Sequence, residues 1–167
     1  MKNLKSIVYT AVFAALIFVM IRFLGIMAGN GYYHIGDAFI YLAGVCLPFP
    51  YASIAGAISG SLANLTNPPA VIFALPTFII KSYTAICFTN KKTRILCARN
   101  FIGIIAASVV TIIGYGSAYI IFFGLGGLIN LYGDLVQVIL NAVIFIIMGT
   151  AFDKMNIRNK IFKIYNY

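Results

Sequence analysis

Charge is scarce in this 167-residue chain. Only 9% of its residues are charged, and three Asp/Glu stand against twelve Lys/Arg. A water-soluble domain carries roughly 25% charged residues, so a soluble fold of this size is excluded: it has too few polar groups to cover its apolar surface. Histidine occurs once, as His34, and no carboxylates are paired at a fixed spacing. Cysteine occurs three times, as Cys46, Cys87 and Cys97, an odd number at spacings that match no zinc or redox motif. Reduced, unbridged thiols are expected. No Gly-rich phosphate loop followed by Lys-Ser/Thr is present, so no motif in the chain supports ATP hydrolysis. An enzyme is not expected, and the sequence calls for no cofactor and no metal site. The aromatics sit inside apolar segments, which excludes a base-stacking surface and, with it, a nucleic-acid partner.

What the chain has in abundance is apolar length. Hydrophobic residues make up 62% of it. A bilayer's hydrocarbon core is about 30 Å thick and takes about 20 residues per helical span. The sequence predicts an all-α membrane protein, a single domain over 1–167, with helices at about 5–24, 35–48, 51–66, 70–89, 100–123 and 134–152. Pro48 and Pro50 punctuate one turn and Pro68-Pro69 the next; 124–133 reads as a Gly-rich loop. The basic start, Met1–Lys5, and the apolar 7–21 are read as a retained first helix. Arg22 interrupts the far end of that run and no small-x-small cleavage site follows, which argues against a signal peptide.

The cations orient the chain. Lys2 and Lys5, then Lys91, Lys92, Arg94 and Arg99, then Lys154, Arg158, Lys160 and Lys163 fall on one side if there are six spans. The positive-inside rule then puts both termini in the cytoplasm of a multi-pass cell-membrane protein. The outward loops are 25–34, 66–70 and 124–133. They hold Asn30, His34, Asn67, Asn130 and several tyrosines, a mixture that suits a cavity opening outward as well as an aromatic interface belt.

Several constellations carry two readings. Ala52, Gly56 and Gly60, with Ser53, Ala57 and Ser61, give helix 3 small residues at i, i+4, expected of a central helix packed within the chain. Ala11, Ala14 and Ala15 make a small patch on helix 1 that serves internal packing or docks a partner. Asp37 opens helix 2, where an acid complements the helix dipole or contacts a ligand. Lys81 lies about 16 Å into helix 4. An ionisable group that deep is costly unless paired or facing a wet recess, and Asp37 and Asp134 are the candidate partners. Asp134, Gln137 and Asn141 share one face of helix 6 and read as pocket lining or as interhelical hydrogen bonds.

The run Tyr33-His34-Ile35-Gly36-Asp37-Ala38-Phe39-Ile40-Tyr41-Leu42-Ala43 resembles the second helix of substrate-binding S components of energy-coupling factor (ECF) transporters. The resemblance continues through Leu47-Pro48-Phe49-Pro50-Tyr51-Ala52 and Ser61-Leu62-Ala63-Asn64. It resumes at Pro76-Thr77-Phe78-Ile79-Ile80-Lys81 and, weakly, at Gly133-Asp134-Leu135-Val136-Gln137. Asn64 stands where an Asp is expected, and Asp134 where an Asn is, departures that bear on the ligand rather than the family.

The resemblance implies a six-helix protein that binds a vitamin or precursor on the outer face. It further implies association with a coupling transmembrane subunit and two cytoplasmic ATPases. Ala11 and Ala15 match the family's docking patch, and the pocket lies among helices 4 to 6 under the loop after helix 1. His34, Asp37, Phe73, Lys81, Tyr119, Asp134, Gln137 and Asn141 are the expected ligand contacts, with Tyr32 and Tyr33 as further ring partners. Two outer carboxylates suit a ligand with an amine or protonated ring nitrogen, such as a thiamine precursor or the pyridoxine group. The competing readings are a self-sufficient secondary transporter or channel, and a membrane assembly protein without a small ligand.

Overall fold

The structure is a computed structural model that describes residues 2–28, 31–88, 91–92 and 94–156. Gly29, Asn30, Arg158, Lys160 and Lys163, which entered the loop and topology expectations, lie outside the described residues. Six α-helices make up the bundle: α1 (Lys2–Arg22), α2 (Gly36–Cys46), α3 (Tyr51–Leu65), α4 (Ala74–Ile86), α5 (Ala98–Phe123) and α6 (Leu131–Lys154). Among the described residues, four segments are long and apolar enough to cross a membrane: Leu4–Arg22, Pro68–Ile86, Ala98–Phe123 and Leu125–Lys154. The other two helices are shorter, α2 with 11 residues and α3 with 15.

Three connections differ from the sequence reading. The segment after α1, expected as an open loop, folds into a small antiparallel hairpin of β1 (Ile26–Ala28) and β2 (Gly31–Tyr33), with Ile26 opposite Tyr33. Strands of three residues are too short to leave a periodic signal. Helix 4, expected from residue 70, turns α-helical only at Ala74. Pro68 and Pro69 begin a 3-10 helix, Pro68–Phe73, where their missing N–H groups cost nothing. The expected 124–133 loop is mostly helical too. Gly124 turns the chain at a φ of 67°, a 3-10 helix runs Leu125–Asn130, and α6 then starts three residues early.

Helix α2, not α3, is the centre of the bundle: every α2 residue except Phe39 is buried. Its approach to α4 is close, since a Cβ on Gly44 would lie 2.6 Å from the Ala85 carbonyl oxygen. α3 packs on α1 and α4 instead. Its small face (Ala52, Ser53, Gly56, Ala57, Gly60) turns inward, and Ile54, Ile58, Leu62 and Leu65 turn outward. The sorting is by size rather than polarity, as in lipid, where close backbone contact replaces hydrophobic burial between helices. One core cluster joins Ile17 and Ile21 of α1 to Ile40, Ala43 and Ala55; a second stacks Tyr41 on Phe88 at 4.6 Å with Phe145 edge-on. The outer surface of α5 and α6 is rich in Ile and Val, among them Ile105, Val109, Ile113, Ile139, Val143 and Ile147.

The α4–α5 connection is braced from the end of α6. Asp153 accepts from the Ile95 N–H at 2.8 Å and the Leu96 N–H at 3.0 Å. Asn100 Nδ2 donates to the Ile95 carbonyl and Arg99 to the Cys87 carbonyl. Asp153→Ala strands two amides beside a buried Ile95, and we expect about 2 kcal/mol of destabilisation. In detergent micelles this reads as a lower melting temperature with ligand affinity unchanged. An unaltered melting temperature would show that the brace carries no stability.

Candidate functional site

The site begins with an ion pair. Lys81 Nζ lies 2.8 Å from Asp37 Oδ2, and the two side chains are 3% and 0% exposed. The pairing left open in the sequence falls to Asp37 rather than Asp134. α3 makes room for it: a Cβ on Gly60 would press within 3.1 Å of Lys81 Cγ, and one on Gly56 within 3.1 Å of the Lys81 carbonyl. Burying two charges is costly unless each is paired and hydrogen-bonded, and here the geometry is direct.

A second polar cluster ties the start of α2 to α6. α2 has no capping side chain of its own, since its N-cap is Ile35. Instead the Gly36 N–H donates to His34 Nδ1 at 3.3 Å, and the Ala38 N–H donates across the bundle to Asn141 Oδ1 at 2.9 Å. Asn141 Nδ2 donates to the carbonyls of His34 and Gln137, both at 2.9 Å. Gln137 Oε1 accepts from the His34 N–H at 3.1 Å. Its Nε2 donates to the His34 carbonyl at 2.7 Å and to Nδ1 at 3.0 Å. Two N–H groups thus converge on Nδ1, which fixes it as an acceptor and leaves the ring proton on Nε2. Burial draws the His34 imidazole, which lies in the segment ahead of α2, down to about 4 against the pull of Asp37. The ring is neutral at physiological pH and the cluster is complete.

Above these groups, at the end of the bundle that carries the hairpin and both 3-10 helices, is a cavity of about 580 Å³. Its walls come from five α-helices, both 3-10 helices and the hairpin. α5 contributes Thr111, Tyr115, Tyr119 and Phe123; Phe73 faces them, with ring centroids 5.4 Å from Tyr119 and 6.4 Å from Tyr115. Asn64, Asn67 and Asn130 supply amides, and Asp134 and Gln137 enter from α6. Lys81 closes the inner end, its Nζ 5.3 Å from the Tyr115 ring centroid. Thr77 bridges Asn64 Nδ2 at 2.7 Å and the Tyr115 hydroxyl at 2.8 Å, fixing both walls. Tyr32 of the hairpin also lines the cavity, and its hydroxyl donates to the Ile21 carbonyl at the end of α1.

Of the residues the sequence nominated, His34, Phe73, Lys81, Tyr119, Asp134 and Gln137 line this cavity together. Asp37 and Asn141 do not. Both are fully buried behind the wall, Asp37 as the counterion of Lys81 and Asn141 as the cap of α2. The nominated Tyr33 is in β2, outside the lining. Ala11 and Ala15 are exposed on α1 and Ala14 is half-buried.

Sequence reasoning missed Thr111, Tyr115, Phe123 and Asn64 as lining, while Asn67 and Asn130, placed in loops that suit an outward cavity, do line it. A signal existed for the first group: Thr111, Tyr115, Tyr119 and Phe123 recur every four residues and share one face of α5. Asn67 and Asn130 lie in connections, where periodicity says nothing.

The chain is 28% identical over 123 residues to a Pyrococcus woesei protein described as "Uncharacterized protein in gap 3'region", covering 71% of this chain and 80% of that one. No solved structure matches at a significant level. Residues 1–154 match the family described as "ECF-type riboflavin transporter, S component". With four long apolar segments, that match makes the chain a multi-pass protein of the cell membrane, and it belongs to the ECF-type riboflavin transporter S component family.

Proposed function

We propose that this chain captures riboflavin at the outer face of the membrane and releases it inward in concert with a separate coupling subunit and two cytoplasmic ATPases. The observation that carries the reading is the cavity: about 580 Å³, with an aromatic wall from Phe73, Tyr115, Tyr119 and Phe123 and an outer rim of amides. That volume is in the range of sites that enclose a ligand of a few hundred daltons. A flat three-ring flavin stacks on aromatic faces, and its polyhydroxylated side chain suits Asn64, Asn67, Asn130 and the Asp134 carboxylate. Riboflavin is uncharged. The expectation of an amine-bearing ligand rested on two available carboxylates, and Lys81 already neutralises one of them. That correction moves the reading away from thiamine precursors and the pyridoxine group.

Six crossings with both termini in the cytoplasm put the cavity outside, because it lies at the end of the bundle away from Lys91, Lys92, Arg94 and Arg99. The exposed Ala11 and Ala15 on α1 are the proposed docking patch for the coupling subunit, since small side chains let a partner helix approach closely. The test of ligand identity is flavin fluorescence on the purified chain in detergent micelles. Saturable one-to-one quenching by stacking is expected; fluorescence unchanged at protein concentrations of about ten micromolar would overturn the assignment, since import of a scarce nutrient needs tighter capture than that.

A further inference from the structure

Most described helical serines and threonines have a partner for the hydroxyl. Those of Thr10, Ser59, Ser82, Thr84, Ser108, Ser117 and Thr150 each donate to the carbonyl four residues back. Ser61 donates to the Ala74 carbonyl, and Thr77 bonds Asn64 and Tyr115. Thr111 has none. Its side chain is 1% exposed, its Oγ1 has no hydrogen-bond partner, and it lines the inner part of the cavity one helical turn from Tyr115. A buried hydroxyl without a partner carries a penalty, which a hydrogen bond from a ligand in the cavity would relieve. Lys81, also on the cavity lining, spends one N–H on Asp37 and has two left.

We infer that Thr111 is the specificity-determining residue that reads the hydrogen-bonding edge of the flavin ring, accepting the N3–H proton on Oγ1 while Lys81 donates to a flanking carbonyl oxygen. The inference rests on the riboflavin reading and deepens it. It sets the orientation of the ligand. The carbonyl–NH–carbonyl edge goes in first, the ring lies between Phe73 and the tyrosines of α5, and the polyol points to the amide rim. From Thr111 to Phe123 the wall runs twelve residues, about 18 Å of helix, long enough for a ligand laid end-on.

The experiment compares riboflavin with 3-methylriboflavin, in which a methyl replaces the N3 hydrogen and both carbonyls stay, on wild type, Thr111→Val and Thr111→Ser, by calorimetric titration of the full chain in micelles. Wild type should bind the methylated compound at least about tenfold more weakly. Thr111→Val should lose about tenfold for riboflavin and narrow the gap between the two ligands by that factor, and Thr111→Ser should keep the discrimination. The ligand-free melting temperature of Thr111→Val should stay level or rise, because an unpaired buried hydroxyl has gone; this separates lost recognition from a damaged fold. Equal riboflavin affinity in wild type and Thr111→Val, or an unchanged preference over the methylated compound, overturns the inference while the riboflavin reading stands. Wild type that binds neither flavin overturns both.

Discussion

Replacing Lys81 with methionine while Asp37 stays in place should destabilise this protein by about 3–5 kcal/mol, the largest loss we expect from any single substitution. The carboxylate would be left fully buried with its only donor removed. Its second oxygen, Oδ1, already lacks a hydrogen-bond partner, so no reserve donor stands by. Asp37→Asn, which strands the ammonium, should act in the same direction. The decisive comparison is the double variant Lys81→Met/Asp37→Leu. Exchanging a buried ion pair for apolar groups of similar size is often neutral or stabilising, so its melting temperature should return to that of wild type or exceed it. Riboflavin binding should not return, because the Lys81 donor at the inner end of the cavity is gone. Recovered fold without recovered affinity would separate the two duties of one side chain. If Lys81→Met melts as wild type does, Asp37 is neutral in the folded protein and the ion-pair account fails.

Asn141→Leu is expected to be the next most damaging. The amide serves three groups at once: the Ala38 N–H and the carbonyls of His34 and Gln137. The His34 carbonyl keeps Gln137 Nε2 and the Gln137 carbonyl keeps its helical N–H, so the stranded group is the Ala38 N–H. With the lost side-chain bonds the cost comes to about 3 kcal/mol. The damage should be directional. α2 loses the cap it borrows from α6, so amide exchange should quicken at Ala38 to Tyr41 before other helices respond. The strand-to-helix corner at His34 loosens with it, and flavin affinity should fall because His34 and Tyr32 line the cavity. Native-like exchange in α2 together with unchanged affinity would mean that water satisfies the start of α2 and that Asn141 is dispensable.

Both predictions concern residues the sequence had nominated as ligand contacts, and the reason for the difference is physical. An isolated acid or amide on an apolar helix must meet a partner in lipid, and that much was legible at Asp37, Lys81, Gln137 and Asn141. Whether the partner is a ligand or another helix depends on which rotational face meets α2, and a single sequence does not record that. The role of α2 itself was hidden for a related reason. A helix buried on all sides and a lipid-facing helix are both uniformly apolar, so α3, with its small residues, drew attention that belonged to α2. Thr111 was hidden more deeply. In a run such as Val109-Val110-Thr111-Ile112-Ile113, a threonine reads as a slightly polar valine whose hydroxyl bonds its own backbone. Only the packed structure shows that this one does not. Lys81 was legible because charge at that depth in an apolar helix has few tolerable settings.

The brevity of two helices has a consequence for the lipid. At 1.5 Å per residue α2 and α3 are about 16 and 22 Å long, against a hydrocarbon layer of about 30 Å. α2 is enclosed by protein, so its shortfall meets other helices. In the proposed six-crossing topology α3 turns Ile54, Ile58, Leu62 and Leu65 outward, and there the acyl chains would meet a wall about 8 Å too low. The leaflet would be drawn down on that flank, bringing headgroups and water toward Asn64 and Asn67 at the cavity. A solute arriving from outside would then have a dimple rather than a full-height leaflet to negotiate, and the mismatch would favour residence among shorter-chain lipids.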